Sequence, residues 1–238
     1  MFKSKKFLIF SGAITTAALI FLWKTKQSSA ARIERDDSKA IKTITVIGDS
    51  QTKRHLGNAY QNAFSQDGIT VNFFGKEGAT HEDYLKSKEL MGSVKALGCS
   101  DIVLIQLGDN GISNRTDKVI EFVEALRQEC PSAKVYWAGP MKAVKPSVRS
   151  SYVNTTDPSS PRYISNYNTM RKTWDERLKT ALHNTGVTHI SNFDLQESQP
   201  LDSSFSDSRK GDGVHLTEDS ANTLAQLTSS IIKEDYYG

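Results

Sequence analysis

Three nearly unbroken apolar runs, each followed by a glycine-containing turn, limit what this chain can fold into. Ile41–Gly48 (IKTITVIG), Asp101–Gly108 (DIVLIQLG) and Lys134–Pro140 (KVYWAGP) read as strands, the second being nearly all apolar apart from Gln106. Ile69–Gly75 and the shorter VTHISN at 187–192 add two more. Helical patterns lie between them. They cover 52–68 with Leu56, Tyr60, Ala63 and Phe64 at helical spacing, 116–130 with Val119, Phe122, Val123 and Leu126 on one face, and 163–186. A last one covers 217–233, with Ala221, Leu224, Ala225, Ile231 and Ile232 facing inward. Strands that are apolar on both sides need cover on both sides. Alternating with helices, they predict an α/β fold of three layers, α/β/α, around a mainly parallel five-stranded sheet. In such folds ligands bind outside the carboxyl ends of the strands, so the residues just after each strand are where chemistry is expected.

The first thirty residues do not share this pattern. MFKSKK is basic, and Phe7–Trp23 is a run of 17 residues without a charge. That run is long for the apolar core of a signal peptide and short for a membrane span. Small residues at Gln27–Ala31 offer a cleavage point after Ala30, while Lys24 and Lys26 oppose cleavage, so a signal peptide and an uncleaved anchor both stay open. Lysines and arginines on both flanks give no orientation by the positive-inside rule. Residues 31–40 (ARIERDDSKA) read as a charged linker, and 41–238 as the folded domain. The chain of 238 residues has a formal charge of +3. Removing the five lysines of residues 1–30 from its 30 basic residues leaves 25 against 27 acidic ones, a net of −2. A near-neutral domain gives no electrostatic case for nucleic-acid binding. No Cys/His cluster of metal-binding spacing occurs.

Gly48-Asp49-Ser50 ends the first strand where a helix starts. A serine there either caps the helix or presents its hydroxyl to a cleft, with its own N–H available to an oxyanion. The glycine-rich fingerprint of a phosphate-binding turn is absent. The third strand ends in LGDNG, which puts Asn110 at the same edge as a neutral donor, or simply as a turn residue. The second strand is followed by GKEGAT, whose Gly78 can offer a backbone N–H. Near the C-terminus, GDGVHLT brings Asp212 three residues before His215. A histidine base works best when a carboxylate fixes its tautomer, and a turn here would leave the other ring nitrogen for Ser50. His55 and His183 fall in helical patterns, His81 follows the Gly78 turn, and His189 lies in the last strand. None of the four has comparable company.

These blocks, GDS at Gly48–Ser50, Gly78, GDN at Gly108–Asn110 and DGVH at Asp212–His215, resemble those of the SGNH (GDSL-like) hydrolases, in the family's order and over about Ile41–Lys233. The resemblance implies a flavodoxin-like fold and a serine esterase needing no cofactor and no metal. It makes Ser50 the nucleophile, His215 the base and Asp212 its orienting acid. Ser50, Gly78 and Asn110 become the oxyanion hole. The family often has an acid after the asparagine, where Gly111 stands here. Ser-Gln-Thr replaces its commoner Ser-Leu-Thr or Ser-Ile-Thr, which reads as a minor departure. The family acts on lipids, acetylated sugars, peptidoglycan and thioesters. Met141–Arg162 is polar, basic and rich in Pro and Ser, either a substrate-facing loop or a solvated insertion. With no long apolar run there, a small-molecule or glycan ester, such as an O-acetyl group on an envelope carbohydrate, is the expected substrate of an exported, membrane-anchored or secreted protein. An acyltransferase using the same serine and a tethered binding module are the rival readings.

Cys99 and Cys130 are the only cysteines. Each lies just before a strand, at the amino end of the sheet and opposite the expected site. If the two strands are parallel neighbours, a disulfide is permitted, closing a loop of about 31 residues. Two buried free thiols are the alternative.

Overall fold

The computed structural model describes residues 40–110, 115–146, 150–198 and 212–238. The N-terminal apolar segment and nearly all of the linker lie outside the described residues. Five strands, β1 (Thr43–Gly48), β2 (Thr70–Gly75), β3 (Ile102–Gln106), β4 (Lys134–Ala138) and β5 (Thr188–Ile190), pair in the order β2-β1-β3-β4-β5, every pair parallel. The alternation of side chains along each strand divides the core in two. Ile44, Val46, Ile102, Leu104, Tyr136 and Ala138 face one layer of helices; Ile47, Val103, Ile105, Val135 and Trp137 face the other. All five residues of β3 are buried, which is why that run is apolar at both parities. Its exception, Gln106, accepts a hydrogen bond from the Tyr60 hydroxyl at 3.1 Å, so the buried amide is not left without a partner.

The first layer holds α1 (Gly57–Ser65) and α7 (Glu218–Tyr237), which contribute Tyr60, Phe64, Leu224 and Ile232. The second holds α2 (His81–Lys86), α3 (Lys88–Ala96), α4 (Thr116–Glu129) and α5 (Ile164–Leu182), which contribute Tyr84, Leu90, Val94, Phe122, Leu126, Trp174 and Leu178. A short α6 (Asn192–Ser198) follows β5. The expected helix over 52–68 is two pieces: a π-helical turn, Thr52–Leu56, runs directly into α1. α2, α3 and α6 have no counterpart in the periodicity reading. They are short and bury only a few residues each, so capping defines them better than an apolar stripe. Thr80 and Asp83 form a reciprocal capping box at α2, and the Ser87 hydroxyl accepts from the Leu90 N–H at α3. α7 extends four residues past the expected end. Its Ile231 is half-buried against the core rather than within it.

β3 and β4 are neighbours, and at their amino ends Cys99 and Cys130 are joined by a disulfide with Cα atoms 5.1 Å apart. The carboxyl ends of the strands carry the other features singled out by the sequence.

Candidate active site

At the end of β1 the chain turns into helix without a loop. The Lys53 N–H donates to the Asp49 carbonyl at 3.1 Å, and the Asp49 side chain accepts from the Gln51 N–H at 2.9 Å. Asp49 is therefore the residue that caps the helix. Ser50 is the first residue inside it, and its hydroxyl is not spent on capping. Gly48 makes the tight join possible, because a Cβ there would stand 2.6 Å from the Gln106 carbonyl oxygen. The Gly48 carbonyl accepts from the Tyr84 hydroxyl at 2.8 Å and from the Lys76 N–H at 3.1 Å. The strand end is thus fixed from β2 and α2.

Ser50 Oγ lies 3.1 Å from His215 Nε2, and His215 Nδ1 lies 2.7 Å from Asp212 Oδ2. The other Asp212 oxygen accepts from the backbone N–H groups of Val214 and His215, both at 2.9 Å. Burial alone would raise the Asp212 carboxyl; hydrogen bonds from the His215 ring and these two N–H groups outweigh it and hold it below the usual carboxylate range. Gly213 allows the turn that brings the acid back to the ring: its φ is 80°, and a Cβ there would meet the Val144 carbonyl at 2.5 Å.

Gln51, the departure from the commoner Leu or Ile, is not minor. Its buried amide donates from Nε2 to the Val214 carbonyl at 2.8 Å and accepts at Oε1 from the Leu216 N–H at 3.2 Å. The residue after Ser50 thus grips the chain on both sides of His215, so serine and histidine are held in register by one side chain.

Asn110 donates from Nδ2 to Asp49 Oδ2 at 3.1 Å, which leaves its second amide hydrogen unspent on that contact. The support that an acid after it would have given comes from elsewhere. Asp109 is buried and paired at 3.1 Å with Arg171 of α5, itself fully buried, and accepts from the Met141 N–H at 2.9 Å. Arg171 also donates to the Met141 and Asp109 carbonyls and to the Tyr167 hydroxyl, at 2.6, 3.1 and 2.9 Å. Burial and the charge of Asp109 push the Asp49 carboxyl well up, while the Gln51 N–H and Arg171 pull it the other way. Gly78, with φ 72° and open space where a Cβ would be, stands three residues beyond Gly75, the partner of Gly48 in the sheet. A groove of about 350 Å³ opens beside it, lined by Lys76, Ala79, Asp83 and Leu90 among others. The structure therefore brings Ser50, His215 and Asp212 into one chain of hydrogen bonds. It ties Asn110 to the same corner through Asp49, and sets Gly78 at the adjoining strand end.

Arg171 escaped sequence reasoning, Gln51 reads there as a minor departure, and the loop after β4, expected as either substrate-facing or solvated, makes contacts with the Asp212–His215 turn that its sequence did not announce. The Ser150 hydroxyl donates to the Asp212 carbonyl at 2.6 Å, Val153 packs on Val214, and the Tyr152 ring meets the His215 ring edge-on at 5.6 Å. The other histidines are placed differently. His81 is buried against Trp137 and Trp174, and burial holds its ring below the usual imidazole range. His189 Nε2 lies 2.8 Å from Asp175 Oδ1, and Ser191 donates to Asp175 Oδ2 at 2.6 Å.

The sequence model of the family described as GDSL-like Lipase/Acylhydrolase matches residues 44–228. No curated protein matches at a significant level. Among solved structures, the chain is similar to phospholipase A1 from Streptomyces albidoflavus, with 13% identity, a TM-score of 0.57, and coverage of 80% of this chain and 99% of that one. It is similar to an extracellular lipase from Streptomyces rimosus, with 15% identity, a TM-score of 0.57, and coverage of 79% and 99%. A peptidoglycan O-acetylesterase aligns at 17% identity and a TM-score of 0.53, over 71% of this chain and 47% of that one. At these identities the structural likeness speaks for the fold alone.

Proposed function

We propose that this chain, which belongs to the family of GDSL-like lipases and acylhydrolases, is an exported serine esterase acting through an acyl-enzyme on O-acetylated carbohydrate. Membership makes it an enzyme, an esterase or lipase; the residue roles, substrate and location are what we add. The observation that carries the reading is the relay Ser50–His215–Asp212 at 3.1 and 2.7 Å. His215 Nε2 takes the Ser50 proton as Oγ bonds to the ester carbonyl carbon. Asp212 keeps the ring in the tautomer that allows this and stabilises the charge it gains. The carbonyl oxygen, now an oxyanion, is met by the N–H groups of Ser50 and Gly78 and by the second Asn110 amide hydrogen, each such donor contributing roughly 3 kcal/mol. The bond to the alcohol oxygen breaks as His215 delivers its proton there. Water then repeats the sequence, its proton going to His215 and on to Ser50 as the acid leaves.

The substrate reading rests on the polar loop beside His215, and the peptidoglycan O-acetylesterase among the similar folds is consistent with it. Export, with or without a retained membrane anchor, rests on the uncharged run Phe7–Trp23 behind a basic start. The Cys99–Cys130 disulfide fits an oxidising compartment. A near-neutral domain supports small-molecule or glycan partners rather than nucleic acid. Labelling with a fluorophosphonate tests the nucleophile: one adduct per chain at Ser50, absent in Ser50→Ala, is expected. Folded protein that takes no label overturns the reading.

A further inference from the structure

Two sides of the site can be told apart. Gly78 and Asn110 follow β2 and β3, the strands flanking β1, so the carbonyl oxygen of a bound ester lies toward them. His215 approaches from the loop before α7, and the nitrogen it turns to Ser50 is the one that must protonate the departing alcohol. The alcohol half of the ester therefore lies on the His215 side. Built against that side is the loop after β4. Its Tyr152 lies edge-on to His215, yet is 47% exposed, the most exposed large apolar side chain among the described residues. The exposure is not slack. The Tyr152 and Val153 N–H groups both donate to Ser150 Oγ, at 3.1 and 3.2 Å, and Ser150 is itself bonded to the Asp212 carbonyl. Val153, on the other side, is 3% exposed in a small core with Ala143 and Val214. With the backbone held on both sides of it and one edge set against the base, the Tyr152 ring presents a flat surface that nothing among the described residues fully covers.

The groove formed by the same loop is polar. Ser150, Asn154, Thr155, Thr156, Ser160 and Arg162 line most of a space of about 710 Å³, and the wall begins at the Asp212–Gly213 turn, where Pro146 Cδ would lie 3.4 Å from a Gly213 Cβ. A lipid chain needs an apolar lining. A sugar ring needs an aromatic face for its C–H side and hydroxyl and amide partners for its rim.

We propose that Tyr152 and this groove form the subsite for the alcohol half of the ester, and that the alcohol is a sugar. The proposal rests on the esterase reading above and goes further in naming the residue that selects the substrate. Its test compares 6-O-acetylglucose with ethyl acetate, whose alcohol is too small to use the platform, on the full-length chain. Tyr152→Ala should lower the ratio of kcat/KM for the sugar ester over ethyl acetate about tenfold, through KM, and Tyr152→Trp should restore most of it. An equal loss on both esters would make Tyr152 a brace for His215 and overturn the subsite; so would an unchanged ratio. Wild-type protein that hydrolyses ethyl acetate without favouring 6-O-acetylglucose refutes the sugar assignment and leaves the esterase standing. Protein that hydrolyses neither and takes no fluorophosphonate at Ser50 removes the esterase reading, and the subsite with it.

Discussion

Among the described residues, two largely buried clusters join a serine, a histidine and an aspartate, and they differ in which residue stands in the middle. In Ser50–His215–Asp212 the histidine is central: one ring nitrogen meets the hydroxyl and the other meets the carboxylate. In Ser191–Asp175–His189 the carboxylate is central, accepting from Ser191 at one oxygen and meeting His189 at the other. A proton can pass from hydroxyl to imidazole in the first. In the second the serine has no base, and the aspartate only ties α5 to the end of β5. The composition is the same, and connectivity decides the chemistry.

The largest expected effect breaks the comparison at its serines. Ser50→Ala should abolish hydrolysis of a short p-nitrophenyl ester, a fall of at least 10³-fold, while Ser191→Ala retains it. Equal losses would mean the clusters are not distinct in function. At the aspartates the two should separate by type of damage. Asp175→Asn should lower stability by about 1–3 kcal/mol, as buried partners lose a charged acceptor, measured as a shift in urea midpoint. Asp212→Asn should leave the midpoint closer to wild type while kcat falls to a residual rate, because it loses orientation rather than the nucleophile. Gln51→Leu sharpens the picture within the first cluster. Removing the grip on Val214 and Leu216 should lower kcat about tenfold with little change in KM, since the damage is to the register of His215 and not to substrate contacts. The smallest effect is in acid. The Asp212 carboxyl is held below its unfolded value, about 3.9. It therefore stabilises the fold above that pH and ceases to as pH falls through its lower folded value. Between pH 5 and 3, Asp212→Asn should lose less Tm than wild type.

What the sequence carries well is whatever is local. Gly48-Asp49-Ser50 and Asp212-x-x-His215 are short turns whose residues meet within a few positions, and β3 announces itself by four apolar residues in a row, Ile102–Ile105. The supports are not local. Gln51 reaches a loop 163 residues away, and Arg171 reaches Asp109 from 62 residues off, in a helix whose exposed face looks equally charged. Asp49 and Ser50 could each have capped the helix; only the bond to the Gln51 N–H assigns the task to Asp49. α2, α3 and α6 stayed hidden because three or fewer buried residues make no period.

The disulfide between Cys99 and Cys130 spans 31 positions and encloses β3, Asn110 and α4. The donor we assign to the oxyanion thus rides on a covalent ring, closed at the far edge of the sheet from the proposed chemistry. A nick in that ring, after Lys118 for example, would leave both fragments one molecule until a reductant arrived. β3 would still be threaded between β1 and β4, with Asn110 still tethered at its end.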